Sequence, residues 1–210
     1  MSAGSDEGAP AKRSRVDLLA DVGFMLRAIE VSERGRRLAP PNPWVGAVIV
    51  AEDGCTILGE GFHAGPGGPH AEVEAVADAE AKGVKDFSQA TLYTTLEPCH
   101  RGPGKRTPPC DELVTSRSFR RCVVGHVDPD PTFGGAGVEF MRSAGVAVTV
   151  GVAEDKVRAS LRAYLHQRRT GMPYVVIKIA TSLDGRVGCA DGTSQWITKA
   201  AARLDAHRLR

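Results

Sequence analysis

His70 and Glu72, with Cys99 and Cys110 further along, are the side chains of this chain whose types and spacing could do chemistry together. One imidazole and two thiolates can hold a zinc ion while leaving its fourth position open to water. A carboxylate that binds no metal can then carry protons between that water and a ring. The order His70-Ala71-Glu72, then Pro98-Cys99, is the pattern expected for hydrolysing an amine off an aromatic ring.

Successive helical residues diverge by about 100°, so His70 and Glu72 would stand about 200° apart inside a helix. They converge only at a helix mouth, and Gly67-Gly68-Pro69 just before them places them there. Cys99 follows a predicted strand, and Cys110 opens a predicted helix whose first turn also holds Asp111 and Glu112. A helix N-terminus favours thiolate over thiol. Taken one at a time, these residues have plainer readings: His70 a cap, Glu72 a solvated acid, the cysteines buried thiols. A structural zinc site would call for a fourth protein ligand, which His100 could supply.

The elements that must position this set alternate in kind. Leu18, Leu19, Val22, Met25, Leu26 and Ile29 recur at helical spacing in a stretch from Leu18 to Leu38 that Pro40-Pro41-Asn42-Pro43 breaks. Val45–Val50 and Cys55–Glu60 read as a hairpin around Glu52-Asp53-Gly54. Helix is predicted over His70–Lys82, strand over Ala90–Thr95, helix over Pro109–Arg117 and strand over Arg121–Val127. Then come a helix (Val138–Ala144), a strand (Val146–Val150), a basic helix (Glu154–Arg169) and a strand (Tyr174–Ala180). Alternation at this pitch argues for an α/β fold with a mixed or parallel sheet covered on both faces.

Bulk properties set the bounds. The 210 residues, 42% hydrophobic and 25% charged, suit one good core and the beginning of a second domain. A formal net charge of +2 gives no argument for a nucleic-acid or membrane partner. No apolar run approaches the roughly 20 residues that span a bilayer. The polar N-terminus, with Asp6 and Glu7, reads as a disordered tail rather than a secretory or transit segment. Five cysteines, an odd number, argue against a disulfide framework, so Cys55, Cys122 and Cys189 read as small core or near-surface residues.

Several strings together carry a family resemblance: Pro41-Asn42-Pro43 with Val45-Gly46, Gly61-Phe62-His63, Pro69-His70-Ala71-Glu72, Thr95-Leu96-Glu97-Pro98-Cys99 and Arg106-Thr107-Pro108-Pro109-Cys110. The chain resembles the riboflavin-biosynthesis pyrimidine deaminases, of the cytidine-deaminase-like fold. The resemblance implies a three-layer α/β/α architecture with a mixed central sheet. Gly171-Met172-Pro173-Tyr174, Thr181-Ser182-Leu183-Asp184-Gly185-Arg186 and Ser194-Gln195-Trp196-Ile197-Thr198 resemble the opening of the fused pyrimidine reductase. The domain reading is a tail over 1–16, a deaminase domain over 17–170 and an incomplete reductase-like segment over 171–210.

The resemblance implies one Zn²⁺ per chain held by His70, Cys99 and Cys110, with Glu72 as proton shuttle. It implies a small phosphorylated pyrimidine, 2,5-diamino-6-(5-phosphoribosylamino)pyrimidin-4(3H)-one, losing its 2-amino group. Asn42 and His63 would contact base or ribose, Arg106 with Lys105 would hold the phosphate, and Asp128 completes the substrate-binding set. A homo-oligomer and a cytoplasmic location are also implied, with a plastid the alternative if a transit segment precedes this chain. Because the reductase-like part stops at Arg210, neither NADPH binding nor reductase activity is expected.

Two departures from the family pattern matter. The ten residues between Cys99 and Cys110 exceed the usual loop, so His100 is not assigned to the usual loop histidine. Asp130 stands where an asparagine is common, and is expected either to turn away from a bound phosphate or to go with a different local phosphate geometry. Two other functions compete: a zinc deaminase of another nucleoside or base, including a tRNA base, and a non-catalytic zinc-binding module. The longer loop, in place of Pro-Cys-x-x-Cys, argues against the former, and Glu72 against the latter. The basic residues of 156–169 read as the solvated face of an amphipathic helix. The Tyr174–Ala180 strand reads as an exposed edge prone to self-association.

Overall fold

The computed structural model describes residues 15–102, 108–130 and 134–208. The chain divides into two compact units, Met1–Met172 and Pro173–Arg210. In the first, chain order runs α1 (Arg15–Ser32), β1 (Gly46–Val50), β2 (Ile57–Phe62), α2 (Ala71–Ala81), β3 (Thr91–Leu96), α3 (Cys110–Ser116), β4 (Arg121–His126), α4 (Ala136–Ser143), β5 (Ala147–Val150), α5 (Glu154–Ser160) and α6 (Arg162–Thr170). The second holds α7 (Ala200–Arg208).

The sheet order is β2-β1-β3-β4-β5. β1 is antiparallel to both its neighbours, whereas β3, β4 and β5 are parallel, so the sheet is mixed as expected. Side chains alternate across a strand with period two. Ala47, Ile49, Leu92, Cys122 and Val124 therefore face one way, against Ala75 and Ala79 of α2, Val114 of α3 and Met141 of α4. Val48, Val50, Tyr93 and Val123 face the other way, against Met25, Ala28 and Val31 of α1, Val157 of α5 and Leu165 of α6. Both faces are covered, which gives the three-layer α/β/α architecture.

Close approach on the first face depends on glycine. A Cβ on Gly61 would lie 2.3 Å from the Ala71 carbonyl oxygen, and one on Gly59 would lie 2.2 Å from that of Ala75. The bare stretch of β2 lets α2 settle onto the sheet, which fixes where its N-terminus, and so His70, sits.

Several sequence expectations are corrected. α1 begins at Arg15, inside the stretch read as tail, while residues 1–14 lie outside the described residues. It ends at Ser32, followed by a 3₁₀ turn at Glu33–Gly35, and a side chain at Gly35 would strike the His63 carbonyl at 2.4 Å. The apolar stripe read on α1 is largely outside: Leu18, Leu19, Val22 and Leu26 are exposed, and its inward face carries Asp21, Met25, Ala28 and Val31. The basic helix is two helices meeting at Leu161. Tyr174–Ala180 forms no strand, since a strand exists only by pairing, and Val175, Val176 and Ile177 are exposed. Cys122 is buried, and Cys55 and Cys189 are exposed. Among the described residues no helix is long and apolar enough to cross a membrane.

Candidate active site

The end of β3 and the starts of α2 and α3 meet at the C-terminal edge of the parallel strands, the usual ligand position in such sheets. His70 is the N-cap of α2, with extended backbone (φ −79°, ψ 165°) and no side-chain capping bond, so its imidazole is not spent on the helix. Pro98-Cys99 follows β3, and Cys110 is the first residue of α3, capped by Pro109. The Cys99 and Cys110 sulfurs lie 3.5 and 3.3 Å from His70 Nδ1. Cys110 N–H donates to Cys99 Sγ at 3.4 Å.

These three side chains, with donor atoms all within 4.8 Å of one another, are the one metal-binding group found among the described residues. Bonds of about 2.0–2.3 Å to zinc place tetrahedral ligand atoms about 3.5 Å apart, so the set fits that ion. Three protein ligands with one vertex left over is the pattern of a catalytic rather than a structural site. His100 is not a fourth ligand: its Nδ1 pairs with Asp111 Oδ2 at 2.5 Å, and its ring lies against Phe140.

Glu72 stands beside this group, 3% exposed. Burial, then the Cys99 charge, pushes its carboxyl up to about 7. Hydrogen bonding from the Cys110 thiol pulls Cys99 down to about 3, while that same proton and burial hold Cys110 well up. Without metal, the two sulfurs share one proton. A bound cation would deprotonate both.

A cavity of about 240 Å³ opens onto His70, Glu72 and Cys99. Of the other residues singled out from sequence, Asn42, His63 and Asp128 line it too, and Lys105 and Arg106 lie outside the described residues. His63 Nδ1–H donates to the Pro69 carbonyl at 2.9 Å, and its Nε2 accepts from Asn42 Nδ2 at 3.0 Å. Both its nitrogens are thus committed to the protein, and His63 orients the Asn42 amide. Asp128 accepts from the Asp130 amide at 3.0 Å and the Tyr164 hydroxyl at 3.4 Å, and burial raises its carboxyl. Of the two expectations for Asp130, turning away is not the one observed, since it lines the cavity.

Two contributions went unread in the sequence. Glu97, 5% exposed, accepts three backbone amides, from Asp128 at 3.1 Å, Gly135 at 2.9 Å and Val138 at 3.0 Å. It thereby fastens the Asp128 loop and the start of α4 to the strand that carries Cys99. An acid between Leu96 and Pro98, where the chain leaves an apolar strand, is the local signal that such donors exist. Tyr164 and Arg168 of α6 also line the cavity, Tyr164 as a buried residue of the amphipathic stretch and Arg168 as one of its exposed basic residues.

Comparison with known proteins decides what this arrangement belongs to. Residues 20–126 match the model of the cytidine and deoxycytidylate deaminase zinc-binding region. The chain belongs to this deaminase family. Residues 173–210 match the RibD C-terminal domain. This deaminase-family chain is 47% identical over 188 residues to riboflavin biosynthesis protein RibD of Chlamydia pneumoniae, covering 89% of this chain and 48% of that protein. It is 43% identical over 195 residues to RibD of Escherichia coli K12, covering 91% and 50%. Among solved structures it resembles a diaminohydroxyphosphoribosylaminopyrimidine deaminase/5-amino-6-(5-phosphoribosylamino)uracil reductase from Thermotoga maritima, with TM-score 0.83, 41% identity and coverage of 92% and 53%. Acinetobacter baumannii RibD gives TM-score 0.79 at 42% identity, covering 92% and 52%. The chain spans about half the length of these relatives. The deaminase fold expected from the sequence is the one observed.

Proposed function

We propose that this chain hydrolyses the 2-amino group from 2,5-diamino-6-(5-phosphoribosylamino)pyrimidin-4(3H)-one, releasing ammonia and 5-amino-6-(5-phosphoribosylamino)uracil. The observation that carries the reading is Glu72: a buried carboxyl, outside the three-ligand group yet beside it, on the same cavity. The substrate choice rests on the likeness to the Thermotoga maritima deaminase/reductase.

His70, Cys99 and Cys110 would hold one Zn²⁺, which when bound lowers the pKa of water toward neutrality. Glu72 then has work that fits its setting. A buried carboxyl whose proton affinity is raised above the ordinary carboxylate range suits a group that takes a proton and gives it up again, as a general acid–base group must. It delivers that proton to a ring nitrogen and a second one to the leaving amine. Asn42, held by His63, presents an amide to the ring or ribose. Asp128, held by Glu97 and Tyr164, faces ligand hydroxyls or N–H groups. Residues 17–170 carry this activity in our reading, and 171–210 form the reductase-like segment.

Ammonia release by zinc-replete protein from the phosphorylated diaminopyrimidine, with cytidine in parallel, tests the proposal. Turnover of the phosphorylated compound alone is expected. Turnover of cytidine alone would overturn the substrate, and turnover of neither would overturn the enzyme reading.

A further inference from the structure

The walls of the cavity pose an electrostatic problem for a phosphorylated ligand. Glu72, Glu97, Asp128 and Asp130 all line it, and among the described lining residues Arg168 is the one lysine or arginine. Glu97 is neutralised in part by its three amide donors, but Asp128 and Asp130 stand together, the amide of one bonded to the carboxylate of the other. A phosphate monoester entering beside them needs a fixed cation.

Arg168 is built to be that cation. It lies one helical turn after Tyr164 on α6, so both side chains share a face. Its guanidinium sits over the Tyr164 ring, 5.3 Å from the centroid, and Tyr164 is itself buried with its hydroxyl 3.4 Å from Asp128. Stacking engages the flat face of the guanidinium, and the N–H groups not directed at the Tyr164 oxygen can grip an anion. The tyrosine thus holds the exposed arginine within reach of the Asp128 charge.

We infer that Arg168, stacked on Tyr164, is an anion-recognition element of this cavity that takes the ligand's ribose 5-phosphate group. The inference rests on the deaminase reading for the identity of the ligand, but its physical content is selectivity for a phosphorylated ribose. It separates the role of α6 from packing alone.

The test replaces Arg168 with Met, which keeps length and apolar contact with Tyr164 but removes the charge. One charged hydrogen-bonded contact corresponds to roughly 10- to 100-fold in affinity. The ratio of kcat/KM for the phosphorylated diaminopyrimidine to that for its dephosphorylated form should therefore fall by that factor in R168M. R168K should recover part of it, since lysine restores charge but not the stacked fork. Equal losses on both compounds would mean that Arg168 merely balances Asp128 and Asp130, and would overturn the inference, as would no loss. Ribose 5-phosphate titrated calorimetrically into the zinc-loaded chain gives a readout that needs no turnover. Weaker binding in R168M supports the inference even if ammonia release is absent and the deaminase reading has failed. Equal binding by both proteins, or no binding by the unaltered chain, overturns it.

Discussion

Replacing Asp21 with Asn should cost this protein more stability than any single surface change, because it isolates a buried charge. Asp21 is 2% exposed and accepts both arms of Arg121, Nη1 to Oδ1 at 2.7 Å and Nη2 to Oδ2 at 2.6 Å. The Tyr93 hydroxyl donates to the same carboxylate at 2.9 Å, and Arg121 Nη2 also reaches Thr149 Oγ1 at 3.2 Å. One carboxylate on α1 thus ties together β3, β4 and β5. Arg121 Nε is already buried without a partner among the described residues, so the guanidinium has no spare acceptor to turn to. Removing one member of a buried pair costs about 3–5 kcal/mol, which for a chain of this size is roughly 6–20 °C in Tm. Urea titration read by Trp44 fluorescence would measure it, since Trp44 is buried against the α1 face of the sheet whereas Trp196 is exposed. Adding Arg121→Met to D21N should restore much of the loss, because the pair and not either partner is what the interior tolerates. A D21N cost below about 1 kcal/mol, or a double variant as unstable as the two single losses added, would refute this account.

Glu72→Gln should keep zinc, measured by metal analysis, and lower ammonia release by about 10²- to 10⁴-fold, the usual worth of a general acid–base group. In chelator-treated protein, the raised Glu72 carboxyl stabilises the fold below its ordinary value near 4.5 and loses that contribution as pH rises through about 7. Melting curves of metal-free protein should therefore decline from pH 4.5 to 7 more steeply in the unaltered chain than in E72Q; parallel curves would contradict the burial of Glu72. Glu97→Ala strands three backbone donors and should cost about 1–3 kcal/mol or more, with a raised KM from the released Asp128 loop, read by chemical denaturation and steady-state kinetics. Gly61→Ala should push α2 off β2 and weaken zinc retention in competition with a chelator, because its Cβ meets backbone that cannot yield.

Much of the fold was legible because its signals are local. The β-branched run at Val45–Val50, the Gly/Pro breaks and the order of strands and helices follow from short-range propensity and period. So did the grouping of His70, Cys99 and Cys110, which announce themselves by type and by position at element ends: a helix mouth, the end of a strand and the start of a helix. What stayed hidden depends on contacts between residues far apart in the chain. Helical spacing did not say which side of α1 packs: Leu18, Leu19 and Leu26 stay outside, while Asp21 is taken inside by Arg121, one hundred positions on. Tyr174–Ala180 has the composition of a strand, but a strand requires a neighbour and composition cannot supply one. Glu97 gains its role from amides at 128, 135 and 138, and Arg168 gains its own from where α6 lays Tyr164 against Asp128. Residue type and local spacing determined which groups could do chemistry. Packing decided which of them face the cavity, because burial and charge pairing are settled by whatever the folded chain brings alongside.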